Sequence, residues 1–373
     1  MLNILKKLIE DSPQQAITYE EYMNAVLYDE TCGYYMKHIQ KIGKQGDFIT
    51  SSNFSNVFGM LFSKVFSEVC TKNELPFLIC EIGGGNGRFA KAVLEEWKKQ
   101  SPETFDLLTY IIIEKSPYHL KLQQEILLVG EKVLQYASIE EIKGDFPQYE
   151  GIIISNELFD AFPVRVIEKH KNELVEIKVS IDPDGNLCER VFSLEDDQII
   201  NYLNEQKLSL KENQRFEVPL AMITYLQELS HFLTSGLMIT IDYGYTNEEW
   251  MLPYHQKGSL RGYLNHQMIK DPLKHPSEMD LTTHISFDAL QYYGEKNGLQ
   301  FIGKLRQDEF LIEAGILEYL QDHHDHDPFS EKAKQNRAIR SLIMNGGISE
   351  SFHVVIQAKN LEVEDLFKQK LAK

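Results

Sequence analysis

The segment Phe77-Leu-Ile-Cys-Glu81-Ile-Gly83-Gly84-Gly85-Asn86-Gly87-Arg88-Phe89 constrains this chain more than any other. A short apolar run ends near an acidic residue, four glycines fall within five positions, and an amphipathic stretch follows. An unbroken apolar run is what a parallel strand buried on both faces requires. Glycine allows positive φ and lets a ligand approach the backbone, and its entropic cost argues against a plain turn. Strand, tight turn and helix in that order form the ligand-holding junction of open α/β sheets. The alternative is a glycine-rich turn that holds nothing.

The rest of the chain supports an α/β sheet. Apolar runs at Thr109–Ile113, Val133–Ala137, Gly151–Ile154 and Leu237–Ile241 are separated by helical patterns, as in a doubly wound sheet covered on both faces. Asn53–Cys70 carries a helical apolar stripe, and Thr18-x-x-Glu21 is a capping-box helix start. The alternation breaks twice. Val164–Phe192 reads as one β-hairpin turning at Asp182-Pro-Asp-Gly185, and Tyr245–Ser286 reads as irregular. A helix near Phe287–Asn297, a strand Gln300–Leu305, a helical segment at Ile316–Leu320 and a strand Phe352–Ala358 close the chain. The expected organisation is a helical extension and covering loop over 1–75 and a first half-core over 76–163. An inserted hairpin and helical region over 164–235 follows, then a second half-core over 236–373 that contains a 245–286 insertion.

The net charge of −18 over 373 residues argues against nucleic acid or an anionic membrane as partner, since both need cationic surface. No apolar run is long enough to cross a bilayer. Cys32, Cys70, Cys80 and Cys188 lack paired spacing and read as free thiols of a reducing compartment. With no targeting segment evident at Met1–Ile9, the expected location is the cytoplasm. The run Asp322-His-His-Asp-His-Asp327 looks metal-binding by composition but reads as a solvated loop, so no metal site is expected.

Ligands of open sheets bind beyond the carboxyl ends of the strands, so those ends supply the candidates. Glu81, Gly83, Gly84, Gly85 and Gly87 form the first loop. Glu114 ends the second strand, where a carboxylate accepts ribose hydroxyls; the same residue would serve a dinucleotide, or be merely solvated. Asn156 and Glu157 end the fourth strand. A carboxylate there could grip a guanidinium by charge-assisted hydrogen bonds, while the alternative for both residues is helix capping. Asp242 ends the fifth strand and suits substrate contact or structure equally. A dinucleotide fingerprint, Gly-x-Gly-x-x-Gly/Ala, fails from Gly83 at Arg88 and fits from Gly85 only two residues further from the strand. The spacing Glu81-x-Gly-x-Gly-x-Gly87 instead resembles the first motif of S-adenosylmethionine-dependent methyltransferases, with a dehydrogenase the rival.

An ordered set of motifs narrows the resemblance. These are Leu27-Tyr28-x4-Gly33-Tyr34-Tyr35, Gly46-Asp47-Phe48-Ile49-Thr50-Ser51, the glycine loop, Ser155-Asn156-Glu157-x2-Asp160-Ala161-x-Pro163-Val164, Ile241-Asp242-Tyr243-Gly244 and Asp280-Leu-Thr282-x-His284. Together they are similar to those of the MidA-type methyltransferases, a family that includes a mitochondrial complex I assembly factor. The resemblance implies a seven-stranded Rossmann-like methyltransferase sheet with insertions after strands four and five, and S-adenosyl-L-methionine as cofactor. It implies cofactor contacts from Gly83, Gly85, Gly87 and Glu114, and a Gly46–Ser51 segment, with Thr50, folding over the cofactor. It also implies a substrate border of Asn156, Glu157 and Asp160, and a protein nitrogen, arginine foremost, as methyl acceptor. A small-molecule methyltransferase or a cofactor-binding assembly protein without turnover are the alternatives.

Overall fold

A computed structural model describes residues 1–39, 41, 56–322, 327, 329–344 and 351–362. Gly46, Thr50, Ser51 and the 323–326 part of the His/Asp run lie outside the described residues.

The N-terminal elements are α1 (Leu2–Asp11), β1 (Ile17–Thr18), α2 (Tyr19–Tyr28) and α3 (Asn56–Lys72). The first half of the core holds β2 (Leu78–Ile82), α4 (Arg88–Gln100), α5 (Pro102–Leu107), β3 (Thr109–Ile113), α6 (Pro117–Ile126), β4 (Val133–Tyr136), α7 (Ile139–Asp145) and β5 (Tyr149–Asn156). An insertion follows, with β6 (Arg165–His170), β7 (Glu173–Ile181), β8 (Leu187–Ser193), α8 (Asp197–Glu205), β9 (Arg215–Val218) and α9 (Leu220–Phe232). The second half comprises β10 (Leu233–Tyr245), α10 (Asn247–Trp250), β11 (Arg261–Leu264), β12 (Gln267–Ile269), β13 (Asp280–Thr282), β14 (Ile285–Ser286), α11 (Phe287–Lys296), β15 (Gln300–Arg306), α12 (Gln307–Glu313), α13 (Glu331–Ile343) and β16 (Phe352–Lys359).

Seven strands form the central sheet in the order β15-β16-β10-β5-β2-β3-β4, and the short β14 extends the end of β10. The five strands from β10 to β4 are parallel, and β16 runs antiparallel between β10 and β15. Chain order reverses between β2 and β5, which opens a crevice where strand-end loops diverge. Register sets those ends level: Ile82 pairs with Ser155 and with Ile113, and Asn156 pairs with Ile241. The glycine loop, Glu114, Glu157 and Asp242 therefore leave the sheet side by side.

The two faces follow the period of two. Ile79, Ile112, Ile154 and Ile239 face α3 and α4, whereas Cys80, Ile111, Ile153 and Met238 face α9 and α11. On the first face Phe58, Phe62, Phe66, Phe89 and Phe310 form one aromatic cluster, with Phe62 stacked on Phe310 at 5.5 Å. A third core joins α1 and α2 to the inserted strands and to Met279 and Leu281. The capping box at Thr18 is formed, each partner's side chain accepting the other's backbone N–H.

Both insertions are more ordered than the sequence pattern indicates. Val164–Phe192 is not one hairpin. It holds β6, β7 and β8, with an extra turn at Lys171–Asn172, where both residues have positive φ (53° and 65°). His170 pairs with Glu173 across that two-residue turn, which lacks the glycine that normally announces it. The resulting sheet takes β1 at its edge, so the N-terminal extension and the insertion form one unit. The 245–286 stretch folds β12, β11 and β13 into a small sheet that sets Arg261 opposite Thr282 and Tyr263 opposite Asp280. Helix α13 has no counterpart in the sequence reading. It places Ile339 and Leu342 in the first core.

Phe62 is fully buried at the centre of its cluster. Phe62→Ala is expected to lower unfolding free energy by about 3–5 kcal/mol, read from urea denaturation followed by circular dichroism.

Candidate functional site

A cavity of about 690 Å3 occupies the crevice above the carboxyl ends of β2, β3, β5 and β10. The central sheet supplies its floor, and α2 with the 261–284 insertion supplies its walls.

The floor begins with the glycine loop. At Gly84 a Cβ would come within 2.6 Å of Ile112 Cγ2, and at Gly87, with φ +77°, within 2.9 Å of Gln123 Cγ. Side chains at these two positions would run into β3 and α6, so the glycines let the loop pack directly on both. Glu114 fixes the loop. Gly85 N–H donates to its Oε2 at 2.9 Å and Ser116 N–H to its Oε1 at 2.8 Å, with His119 Nδ1 3.6 Å from Oε2. Gln123 Nε2 donates to Gly85 O at 2.7 Å, and Ser116 Oγ donates to Tyr35 O at 2.7 Å. Glu114 lines the cavity, and a carboxylate has about four acceptor directions, so two remain for ligand hydroxyls. Gln123, fully buried, is a positioning residue that the sequence reading missed, because nothing in a helix pattern marks a polar side chain that turns inward.

Glu81 lies beneath the loop, accepts from Tyr110 OH at 2.8 Å and lines the cavity. Burial, reinforced by the charge of Glu114, pushes its carboxyl up to about 8.

On the opposite lip, Glu157 adopts φ +53°, a conformation costing a non-glycine residue about 1–3 kcal/mol, and its N–H is anchored on Ile241 O at 2.9 Å. Asn156 Nδ2 donates to Glu157 Oε1 at 3.3 Å, while Asn156 Oδ1 is buried without a hydrogen-bond partner among the described residues. Both residues line the cavity.

Asp242 does not line it. Fully buried, it accepts from Phe159 N–H (3.0 Å) and Asp160 N–H (3.3 Å) at Oδ2, and from Tyr243 N–H (2.9 Å) at Oδ1. The sequence reading left Asp242 a candidate for substrate contact as much as for structure; the structure makes it a positioning residue that caps the turn Phe159–Ala161. Burial, with Asp160 close by, drives its carboxyl well above the ordinary range. Asp160, held by that turn, lines the cavity and accepts from Tyr243 OH at 2.6 Å. Burial raises it to about 6 against the hydrogen bond from Tyr243.

The walls come from segments far apart in sequence. Tyr28 OH donates to Ala161 O (2.8 Å), Tyr35 OH donates to Asp280 Oδ1 (2.7 Å), and the two rings stack at 5.5 Å. Arg261, Tyr263, Asp280, Thr282 and His284 arrive through the small inserted sheet. Among the described residues the lining contains the acids Glu114, Glu157, Asp160 and Asp280, with Glu81 held protonated by burial, against two fixed cations, Lys115 and Arg261. Such a cavity favours cationic ligands.

The model of a family described as "Putative S-adenosyl-L-methionine-dependent methyltransferase" matches residues 61–305. Among curated proteins, the chain is 27% identical to "Protein arginine methyltransferase NDUFAF7, mitochondrial" of Xenopus tropicalis, over 80% of this chain and 72% of that one. It is also 27% identical to the same protein of Mus musculus, over 80% and 71%. Among solved structures, a COG1565 superfamily member from Burkholderia thailandensis, crystallised with S-adenosyl-homocysteine, superposes with TM-score 0.88 at 24% identity, covering 98% of this chain and 94% of that one.

Glu81 titrates higher in the folded chain than the ordinary carboxyl value of 4.5, so folding favours its protonated form. That contribution to stability is complete below pH 4.5 and is lost as pH rises through about 8. Glu81→Gln is therefore expected to flatten this part of the pH dependence, so that the difference between wild-type and variant denaturation midpoints changes steadily across this window.

Proposed function

This chain belongs to the S-adenosyl-L-methionine-dependent methyltransferase family whose model it matches, and on that premise we propose that it methylates a protein nitrogen, with an arginine guanidinium the leading acceptor. The observation that carries the acceptor reading is that the Glu157 carboxylate stands beside Asn156 Oδ1, which is buried without a hydrogen-bond partner among the described residues. Two adjacent acceptors at one lip call for a ligand group rich in N–H donors, and a guanidinium is the side chain richest in them. The arginine methyltransferase names borne by the relatives support the same choice.

The residues present fit the cofactor. The backbone of Gly83, Gly84 and Gly85 lines the cavity without side chains, and Glu114 keeps acceptor directions for ribose hydroxyls. The acidic lining, with Glu114 and Glu157, suits a positively charged sulfonium and ammonium. When bound, S-adenosylmethionine would supply an electrophilic methyl group to the acceptor nitrogen.

The chain contributes orientation, which carries most of such a displacement. Glu157 and Asn156 hold the N–H groups of the acceptor, and pairing with the carboxylate concentrates electron density on the attacking nitrogen. Glu157 also stands ready to take the proton that the methylated nitrogen gives up. Tyr28 and Tyr35 form part of the cavity wall.

The direct test incubates the protein with methyl-labelled S-adenosylmethionine and extract from a strain lacking its gene. Label in a protein that yields methylarginine on hydrolysis is expected; label confined to small molecules would refute the reading. Glu157→Gln should cut transfer by at least about a hundredfold, the scale of one transition-state contact, with S-adenosylhomocysteine affinity unchanged. Glu114→Ala should instead weaken S-adenosylhomocysteine binding by about 1.5–3 kcal/mol, measured by calorimetry.

A further inference from the structure

Arg261 is the cation that the acidic cavity does not explain. Its guanidinium carbon lies 5.9 Å from the Tyr243 ring and 5.7 Å from the Tyr263 ring. One Nη sits 3.4 Å from His284 Nε2, and Nε is buried with no hydrogen-bond partner among the described residues. No salt bridge to Arg261 forms among the described residues. Asp160, whose field reaches Arg261, is occupied by Tyr243 OH. His284 offers no negative charge: burial and the Arg261 charge hold its imidazole down to about 3, and it stacks flat on Tyr245 at 4.4 Å. A guanidinium held by aromatic faces, with a shielded Nε unpaired, is poised for a two-oxygen anion that bridges Nε and Nη.

The sheet order says which ligand could reach it. Strands run β10-β5-β2-β3, so the glycine loop and Glu114 lie on one side of Glu157 and Tyr243 lies on the other. Arg261, against Tyr243, is thus beyond the acceptor-gripping lip as seen from the cofactor floor. We propose that Arg261 forms an anion subsite of the acceptor site, taking the side-chain carboxylate of an Asp or Glu that neighbours the methylated residue. Resting on the protein-arginine reading, this narrows the substrate class to protein segments in which an arginine and an acidic residue stand close together. Glu157 would select the cationic group and Arg261 the anionic one, and opposite charges at the two ends would fix which way the segment lies.

The test uses the protein loaded with S-adenosylhomocysteine and calorimetric titration with end-capped peptides Arg-Glu and Arg-Ala-Glu, each against its Gln-for-Glu twin. In the wild type one acidic peptide is expected to bind at least about tenfold tighter than its twin, the scale of a charge-assisted hydrogen-bonded pair. In Arg261→Gln that ratio should fall to near one, with S-adenosylhomocysteine affinity unchanged. Absence of preference in the wild type, binding of neither peptide, or a preference that survives in Arg261→Gln would each overturn the subsite. Loss of S-adenosylhomocysteine affinity in the variant would also overturn it, by assigning Arg261 to the cofactor carboxylate. Arg261→Lys keeps the charge without the planar fork and carries the test should the glutamine variant fail to fold: its preference must drop below that of the wild type, and an unchanged one refutes the proposal. Capped glutamate alone separates the two readings. If it binds wild type but not Arg261→Gln, while Glu157→Gln alters no peptide's affinity, the subsite stands and the arginine reading falls.

Discussion

One buried carboxylate holds the cofactor half of this site together. Glu114 takes the N–H of Gly85 from the loop after β2 and that of Ser116 from the start of α6. The loop after β2 and the connection from β3 to α6 thereby share one acceptor group. Removing it would leave two backbone donors without partners near the floor of a cavity, where each lost bond costs more than the bond contributes in the open. Ser116 extends the same linkage to Tyr35, so the segment after α2 is fastened to the floor it covers.

A second carboxylate, Asp242, does the corresponding job on the acceptor side. Its three backbone hydrogen bonds shape the turn that carries Asp160 and lies directly after Glu157. Glu157 sits at positive φ with its N–H anchored on β10. Local strain of this kind survives only where the surroundings over-determine the backbone, and here two neighbouring strands do so. The cavity is thus built from a rigid floor with two acid-capped turns and walls supplied by the insertions. Its acidic lining, interrupted by Arg261 at the far end, is a charge pattern to which an acceptor carrying both signs would be complementary.

Family and fold were open to reading from the chain. The glycine loop must follow a buried strand, the strand patterns alternate with helices, and the antiparallel ending appears as two late apolar runs; each is a local signal with its own period. Gly84, Glu114, Asn156 and Glu157 could be singled out because a strand end in a doubly wound sheet is a predictable place for a ligand. Gln123, Tyr28 and Arg261 could not be placed in that way. Gln123 reaches Gly85 across a helix-to-loop gap, Tyr28 meets Ala161 far along the chain, and Arg261 enters on a strand placed only by the pairing of the small inserted sheet. The inserted β-sheet was misread for a related reason: the turn at Lys171–Asn172 carries no glycine, and only the pairing of β6 with β7 reveals it.

Local chemistry along the chain was enough to establish a parallel sheet with a ligand loop, since the period of two, the run of glycines and the strand-end acids act over a few residues. It could not establish what Asp242 does. An acid at the end of β10 is equally suited to touching a substrate or capping a turn, and the choice rests on whether Phe159, Asp160 and Tyr243 turn their N–H groups toward it. Nor could it bring Arg261 and Asp280 together on neighbouring strands of one small sheet that lines the cavity. Contacts between residues so distant in sequence depend on chain reversals and on packing across three cores, and no short-range pattern encodes them.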